Sequence, residues 1–263
     1  VLRNDGMRVL AIGDVTGPIG CNFLKSKLPE LKEKEKVDVT IVNGENSAQG
    51  NGISTMSADF IFESGADIIT TGNHVFRKRE IQQYLNEHKN IIRPANYPNK
   101  STPGSGMCRY VVGTRVIYVI NLLGTVFMED LECPAYTMNR ILNSIEDSNI
   151  ILVDFHAEAT AEKKTLGLYL DGRVSALFGT HTHVLTADEC ILPKGTGYIT
   201  DIGMTGPIYS SLGIDPKITI RKMLTKMPVK FEFAMGACHM DGAVFDIDEV
   251  SGKTVSIKRI SVC

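Results

Sequence analysis

Five short polar clusters in this chain carry residues that could do chemistry: Gly13-Asp14, Gly44-Glu45-Asn46, Gly72-Asn73-His74, Asp154-Phe155-His156 and Gly179-Thr180-His181-Thr182-His183. Each follows an apolar run, so each falls at the carboxyl end of a predicted strand, where ligand crevices of open α/β sheets lie and distant residues converge. Together they offer carboxylate oxygens, amide oxygens and imidazole nitrogens without a thiolate, a set that suits Mn, Fe or Zn better than Ca. His181 and His183, two apart, share a face if the chain stays extended there, and can then serve one ion or two adjacent ones. Two carboxylates against two divalent ions leave a positive site, which attracts a phosphate ester and stabilises its transition state. A carboxylate such as Glu45 can bridge ions about 3.5–4 Å apart, so that a shared water ionises near neutral pH and attacks phosphorus in line with the departing oxygen. His74, beside a ligand-type Asn and not itself needed as a ligand, is the candidate to protonate that oxygen.

Taken singly, each member has an ordinary explanation. Asp14 could cap a helix, Asn73 could belong to a turn, and His156 could be a satisfied buried histidine. Recurrence at five strand ends is what favours a shared site.

The elements that must position these clusters follow from the apolar periodicity. Strands are expected at Arg8–Ile12, Val37–Val42 and Asp67–Thr71, separated by helices over Gly17–Lys36 and Ser54–Gly65, the rhythm of a largely parallel sheet. A helix over Lys78–His88 and a Pro- and Gly-rich stretch from Arg93 to Gly106 precede two strands, Met107–Val112 and Arg115–Asn121, joined by a hairpin turn at Gly113-Thr114. A helix at Ala135–Asp147, a strand at Ile150–Phe155, a helix at Ala161–Leu170 and a strand at Val174–Phe178 resume the alternation. Beyond Gly195 come strands at Tyr198–Ile202, Val229–Phe233, Ala243–Ile247 and Val255–Ser261, with a helix at Pro216–Met227; the last strands alternate as antiparallel ones do. The segment Gly203–Asp215 reads as a loop, either lining the substrate pocket or simply at the surface. The expected fold is a mixed α/β sandwich, two sheets flanked by helices, in a single domain over residues 1–263.

With 43% apolar and 22% charged residues, the 263-residue chain has an ordinary globular composition. No run reaches the roughly 18 apolar residues of a membrane-spanning helix, and the first residues lack the regions of a signal peptide, so a cytoplasmic, membrane-free protein is expected. Residues 1–6 read as a short extension or an expression remnant. The six cysteines form no C-x-x-C pair and are read as free thiols packed as small apolar side chains. A formal net charge of −2 gives no basis for stable binding to duplex nucleic acid.

These clusters resemble, in order and spacing, the five blocks of the calcineurin-like metallophosphoesterases. The strings IGDVTGPIG, VNGENSAQGNGI, TTGNHVF, DFHAEATAEK, GTHTHV and DIGMTGP are similar to those of a bacterial subfamily, the YmdB-like phosphodiesterases, over essentially the whole chain. Two departures from the wider superfamily, Asp14-Val15-Thr16 in place of D-x-H and Glu45 in place of the bridging Asp, are the subfamily's own pattern. The resemblance implies a calcineurin-like sandwich in which Asp14, Glu45, Asn46 and His183 hold one ion, Glu45, Asn73, His156 and His181 hold the other, and His74 donates the proton. It implies two divalent or mixed-valence ions, iron with manganese as a working substitute, in an oligomeric cytoplasmic protein that hydrolyses 2′,3′-cyclic nucleotides and other phosphodiesters. The alternative is a metal-containing regulator that binds a cyclic nucleotide or a protein partner with slow or incidental hydrolysis.

Other classes fit poorly. Gly13, Gly17 and Gly20 do not make a G-x-G-x-x-G turn, and Pro18 sits among them, against a dinucleotide-binding oxidoreductase. There is no P-loop and no G-x-S-x-G. The H-x-H element comes too late in the chain, and without a barrel rhythm, for a zinc amidohydrolase.

Overall fold

In the computed structural model, which describes residues 6–98 and 101–263, strict alternation along the first strand decides the layering. Strand β1 (Gly6–Ile12) turns Val9 and Ala11 one way and Leu10 and Ile12 the other, and both faces are buried. After the two-residue β2 (Asp14–Val15), helix α1 (Gly17–Glu35) buries Cys21, Leu24, Leu28 and Leu31, spaced by three or four residues, against the Leu10 face. It ends at Lys36 in the left-handed conformation. Strand β3 (Val39–Asn43) then pairs parallel to β1. Helix α2 (Thr55–Glu63) opens with a capping box between Ser54 and Ser57, and β4 (Ile68–Thr70) adds a further parallel strand. A single 3-10 turn at Val75–Arg77 precedes α3 (Ile81–Glu87).

The hairpin β5 (Met107–Val112) and β6 (Arg115–Leu123) starts the second sheet, turning at Gly113-Thr114 as expected. Helix α4 (Pro134–Leu142), β7 (Ile151–His156), α5 (Thr160–Leu170) and β8 (Ala176–Thr180) continue it with parallel pairing. Short β9 (Cys190–Ile191) and β10 (Gly197–Ile199) complete the order β5-β6-β7-β8-β10-β9. The chain then returns to the first sheet through β11 (Met204–Pro207), leaves for α6 (Pro216–Thr225), and ends in the antiparallel pair β12 (Cys238–Asp248) and β13 (Thr254–Val262). The first sheet runs β2-β11-β12-β1-β3-β4, with β13 beside β12.

Three apolar clusters cement four layers. Val9, Ala11, Ile41 and Phe245 meet Ile117, Val119, Leu152 and Phe178 between the sheets. Leu10, Ile12 and Val42 pack outward under α1, α2 and α3, while Ile120, Val153 and Phe155 pack outward against Met138, Leu166 and Leu170 of α4 and α5. This is the mixed α/β sandwich that the periodicity predicts.

Several details differ from the sequence reading. Met204–Pro207, expected within a loop, is a buried strand: its Gly and Pro residues suggest a turn, yet β2 and β12 supply neighbours on both sides. Val229–Phe233, expected as a strand, has no sheet to join; Phe233 forms only an isolated bridge with Ile214. Helix α4 stops at Leu142 rather than Asp147. All six cysteines are free, but Cys133 and Cys263 are exposed rather than packed. Gly6 opens β1, and the rest of the expected extension, residues 1–5, lies outside the described residues. Among the described residues no helix is long and apolar enough to cross a membrane.

Candidate metal centre

Both sheets end at the same rim, where polar side chains rather than apolar ones tie them together. Asn43, the last residue of β3, donates through Nδ2 to Asp154 Oδ2 of β7 at 3.0 Å, and Asn121 Oδ1 of β6 accepts the Thr71 N–H at 3.1 Å. All five polar clusters reach this rim. Asp14 is carried by β2, Glu45 and Asn46 by the turn after β3, Asn73 and His74 by the turn after β4, His156 by the last position of β7, and His181 and His183 by the bend after β8.

The side chains gather in two groups around Glu45. In one, Asn46 Nδ2 lies 3.2 Å from His183 Nε2 and 3.5 Å from Asp14 Oδ1, and His183 Nε2 is 3.6 Å from that same oxygen. In the other, His156 Nε2 lies 3.0 Å from His181 Nδ1, 3.2 Å from Asn73 Oδ1 and 2.8 Å from Glu45 Oε2. Ligand atoms of Asp14, Glu45 and His156 fall within 4.8 Å of one another, all three residues being buried. Asp14, Asn46 and His183 thus lie together on one side, and Asn73, His156 and His181 lie with Glu45 on the other. Asn46, however, turns its Nδ2 toward Asp14 and His183 and its Oδ1 toward His74, so ligation through oxygen in that group requires the opposite amide orientation.

The donors fit a divalent cation on three structural grounds. Glu45 Oε2 is buried and its close neighbour is His156 Nε2 at 2.8 Å, so this carboxylate oxygen needs a positive partner, an imidazolium or a cation, to offset its burial. The His156 tautomer is set from behind: Thr180 Oγ1 gives its proton to Asp154 Oδ1 at 2.7 Å, so it accepts from His156 Nδ1 at 2.9 Å, which leaves the Nε2 lone pair aimed into the cluster. Gly72 makes the room, because a Cβ there would collide with Glu45 Oε2 and His156. The oxygen and nitrogen donors suit borderline or hard ions.

Electrostatics point the same way. Burial works to neutralise Asp14 and Glu45, yet His183 and His156 outweigh it, holding Asp14 well below the usual carboxylate range and Glu45 at about 2. Conversely, burial disfavours a charged His156, but Glu45 and Asp14 hold its pKa up at about 9. Burial and then the neighbouring His156 push His181 down to about 4. The carboxylates thus demand positive charge, and a cation competes with protons for the same imidazoles.

The two loop histidines do not lie on extended backbone, the condition under which they would share a face. Strand β8 ends at Thr180, and His181 and His183 hold φ at 98° and 62°, a left-handed conformation costing of order 1–3 kcal/mol per residue. Asp14 Oδ2 accepts the His181 N–H at 3.0 Å and Asp201 Oδ2 accepts the Thr182 N–H at 3.1 Å, and these bonds hold the bend. The imidazoles therefore diverge into different groups instead of sharing one strand face. Asp14, for its part, is no helix cap: the N-cap of α1 is Thr16, which makes no side-chain cap bond.

His74 stands at the edge of the centre, half-buried. Its backbone N–H and Nδ1 face Glu45 Oε1 at 2.8 and 3.0 Å, and Nδ1 is 3.2 Å from Asn46 Oδ1. Among the described residues its Nε2 has no hydrogen-bond partner. Sequence reading assigned no role to Asp154, Thr180, Lys163 or Asp201, which brace the centre from below. The available signal was a charge inside an apolar run, as in Ile-Leu-Val-Asp-Phe around Asp154.

A four-layer sandwich with carboxylate, amide and imidazole donors gathered at the strand ends of both sheets defines a metallophosphoesterase of the calcineurin-like fold. The sequence model of the YmdB-like protein family matches residues 10–260, and the chain belongs to that family. It is 45% identical over 257 residues to the 2′,3′-cyclic-nucleotide 2′-phosphodiesterase of Bacillus subtilis strain 168, covering 97% of each chain. Among solved structures, a novel phosphatase from Mycoplasma pneumoniae superposes with a TM-score of 0.93 at 34% identity, over 98% of this chain and 94% of the other. A hypothetical protein from Thermus thermophilus superposes with a TM-score of 0.91 at 38% identity, over 97% of this chain and 98% of the other.

Proposed function

We propose that this protein is a dinuclear metal-dependent phosphodiesterase that hydrolyses 2′,3′-cyclic nucleotides. The observation that carries the reading is the buried Asp14–Glu45–His156 cluster with Asn46, Asn73, His181 and His183 around it; the activity of the Bacillus subtilis relative supports the substrate class. Asp14, Glu45, Asn46 and His183 would hold one ion, and Glu45, Asn73, His156 and His181 the other. Iron is the proposed metal, divalent or mixed-valence, with manganese or zinc as alternatives.

Bound ions supply Lewis acidity and a water that ionises near neutral pH. The protein's own groups do the rest. Glu45 and Asp14 carry the charge that fixes the centre, while Asp154 and Thr180 keep His156 in its ligating tautomer. His74 faces the Glu45 carboxylate through Nδ1 at 3.0 Å, so Nδ1 carries a proton and Nε2 delivers the one needed by the departing oxygen. In the net reaction water adds across the P–O2′ bond: phosphorus gains the hydroxyl, and O2′ leaves with a proton.

A homo-oligomer in the cytoplasm completes the proposal. The oligomer is supported by an outward apolar stripe on α6 and just beyond, formed by the exposed Ile220, Met223, Leu224 and Met227 at helical spacing. The location is supported by the six free thiols. The deciding experiment is hydrolysis of 2′,3′-cyclic AMP by Mn²⁺-loaded protein, with the product identified by NMR. Release of the 3′-phosphate supports the proposal; no turnover with two ions bound would favour the regulatory reading.

A further inference from the structure

The segment after β6 holds a residue whose conformation the metal centre leaves unexplained. Phe127 has φ at 62° and is 89% exposed. It occupies the third position of a turn closed by Met128 N to Thr125 O at 3.4 Å, where a positive φ ordinarily calls for Gly or Asn. For a bulky side chain that backbone is a genuine outlier, and outliers of this kind cluster at functional sites.

Anchors on both sides hold it. Gly124 donates its N–H to the carbonyl of His156 at 2.9 Å. The Glu162 carboxylate accepts from Thr125 N, Thr125 Oγ1 and Val126 N at 2.8, 3.1 and 3.3 Å. Beyond the turn, Glu129 Oε2 accepts from Tyr97 OH at 3.3 Å, and the Tyr97 ring meets Phe76 edge-on at 5.4 Å, two residues from His74. The loop therefore leaves the centre beside His156 and returns beside the neighbours of His74, with Phe127 between. Three residues from Gly124 span at most about 10 Å, within reach of the base of a nucleotide whose phosphate lies among the ligands.

We propose that Phe127 is the platform on which the base of the nucleotide substrate stacks, so that it sets the preference for nucleotides over baseless diesters. This rests on the phosphodiesterase reading above. Every base offers a π-face, so the platform favours nucleotides without selecting strongly among bases.

The test compares Mn²⁺-loaded wild type with Phe127→Ala, →Leu, →Tyr and →Trp on 2′,3′-cyclic AMP and on methyl riboside 2′,3′-cyclic phosphate, which lacks a base. Phe127→Ala should raise KM for cyclic AMP roughly tenfold or more while leaving KM for the baseless diester within about twofold. Tyr and Trp should restore the wild-type KM and Leu should not. Calorimetric binding of 3′-AMP should show the same split without turnover. Equal effects on both substrates, no effect on either, or rescue by Leu would overturn the stacking role while leaving the diesterase reading intact. Wild type that cleaves only the baseless diester and binds no 3′-AMP would overturn both.

Discussion

Lys163 Nζ lies 2.7 Å from Asp201 Oδ2, both side chains sealed from solvent, and that carboxylate oxygen also accepts the N–H of Thr182, between the two loop histidines. Lys163 donates further to the Thr180 carbonyl at 2.8 Å, and Asp201 Oδ1 accepts from Gly203 N at 3.0 Å. The pair thereby joins α5, the end of β8 and the approach to β11.

Removing one partner strands a buried charge. Lys163→Met alone should destabilise the protein by about 3–5 kcal/mol in urea unfolding. The Lys163→Met/Asp201→Leu double variant should recover much of that loss. It should still bind metal more weakly, because Thr182 N and Gly203 N lose their acceptor. Wild-type metal affinity in a stable double variant would limit the pair to a structural role.

His74 lies at the edge of the centre beside Glu45 and is proposed as proton donor rather than ligand. His74→Ala should lower kcat on a cyclic diester roughly a hundredfold or more, with two metals per chain still found by elemental analysis. Unchanged turnover would remove it from the mechanism.

Glu45 lies between the two groups of donors, so Glu45→Gln, which keeps the shape and removes the charge, should lower the content of both ions together. A variant that retained two tightly bound ions would refute the shared position.

Thr180→Val deletes the hydroxyl between Asp154 and His156, taking from His156 Nδ1 its acceptor and from Asp154 Oδ1 its donor, while Asn43 still donates to Asp154 Oδ2. A loss of about 10–100-fold in metal affinity is expected, together with about 1–3 kcal/mol of stability for each orphaned group. An unchanged affinity would mean that His156 needs no brace.

Metal loading should weaken as pH falls, because an imidazole ligates only when neutral and acidification protonates it. With His156 held near 9 by Glu45 and Asp14 in the metal-free protein, loading near neutral pH should release protons. Calorimetry in two buffers of different ionisation enthalpy measures that release directly, and its absence would contradict the charge balance described here.

Much of this was legible in the chain. Alternating apolar residues such as Val9 and Leu10 determine which face of a strand turns inward, and the donor types of Asp14, Glu45, Asn73 and His156 follow directly from their positions after apolar runs. What periodicity could not decide was anything set by partners distant in sequence. The left-handed bend of His181 and His183 depends on Asp14 and Asp201, the orientation of His156 on a hydroxyl at Thr180, and the strand at Met204–Pro207 on neighbours at both its edges. Lys163 and Asp201 are 38 residues apart, and no local pattern joins them. Residue type and strand period are local properties and can be read from the sequence, whereas backbone handedness and the protonation of a buried donor are decided by hydrogen bonds that exist only once the two sheets meet.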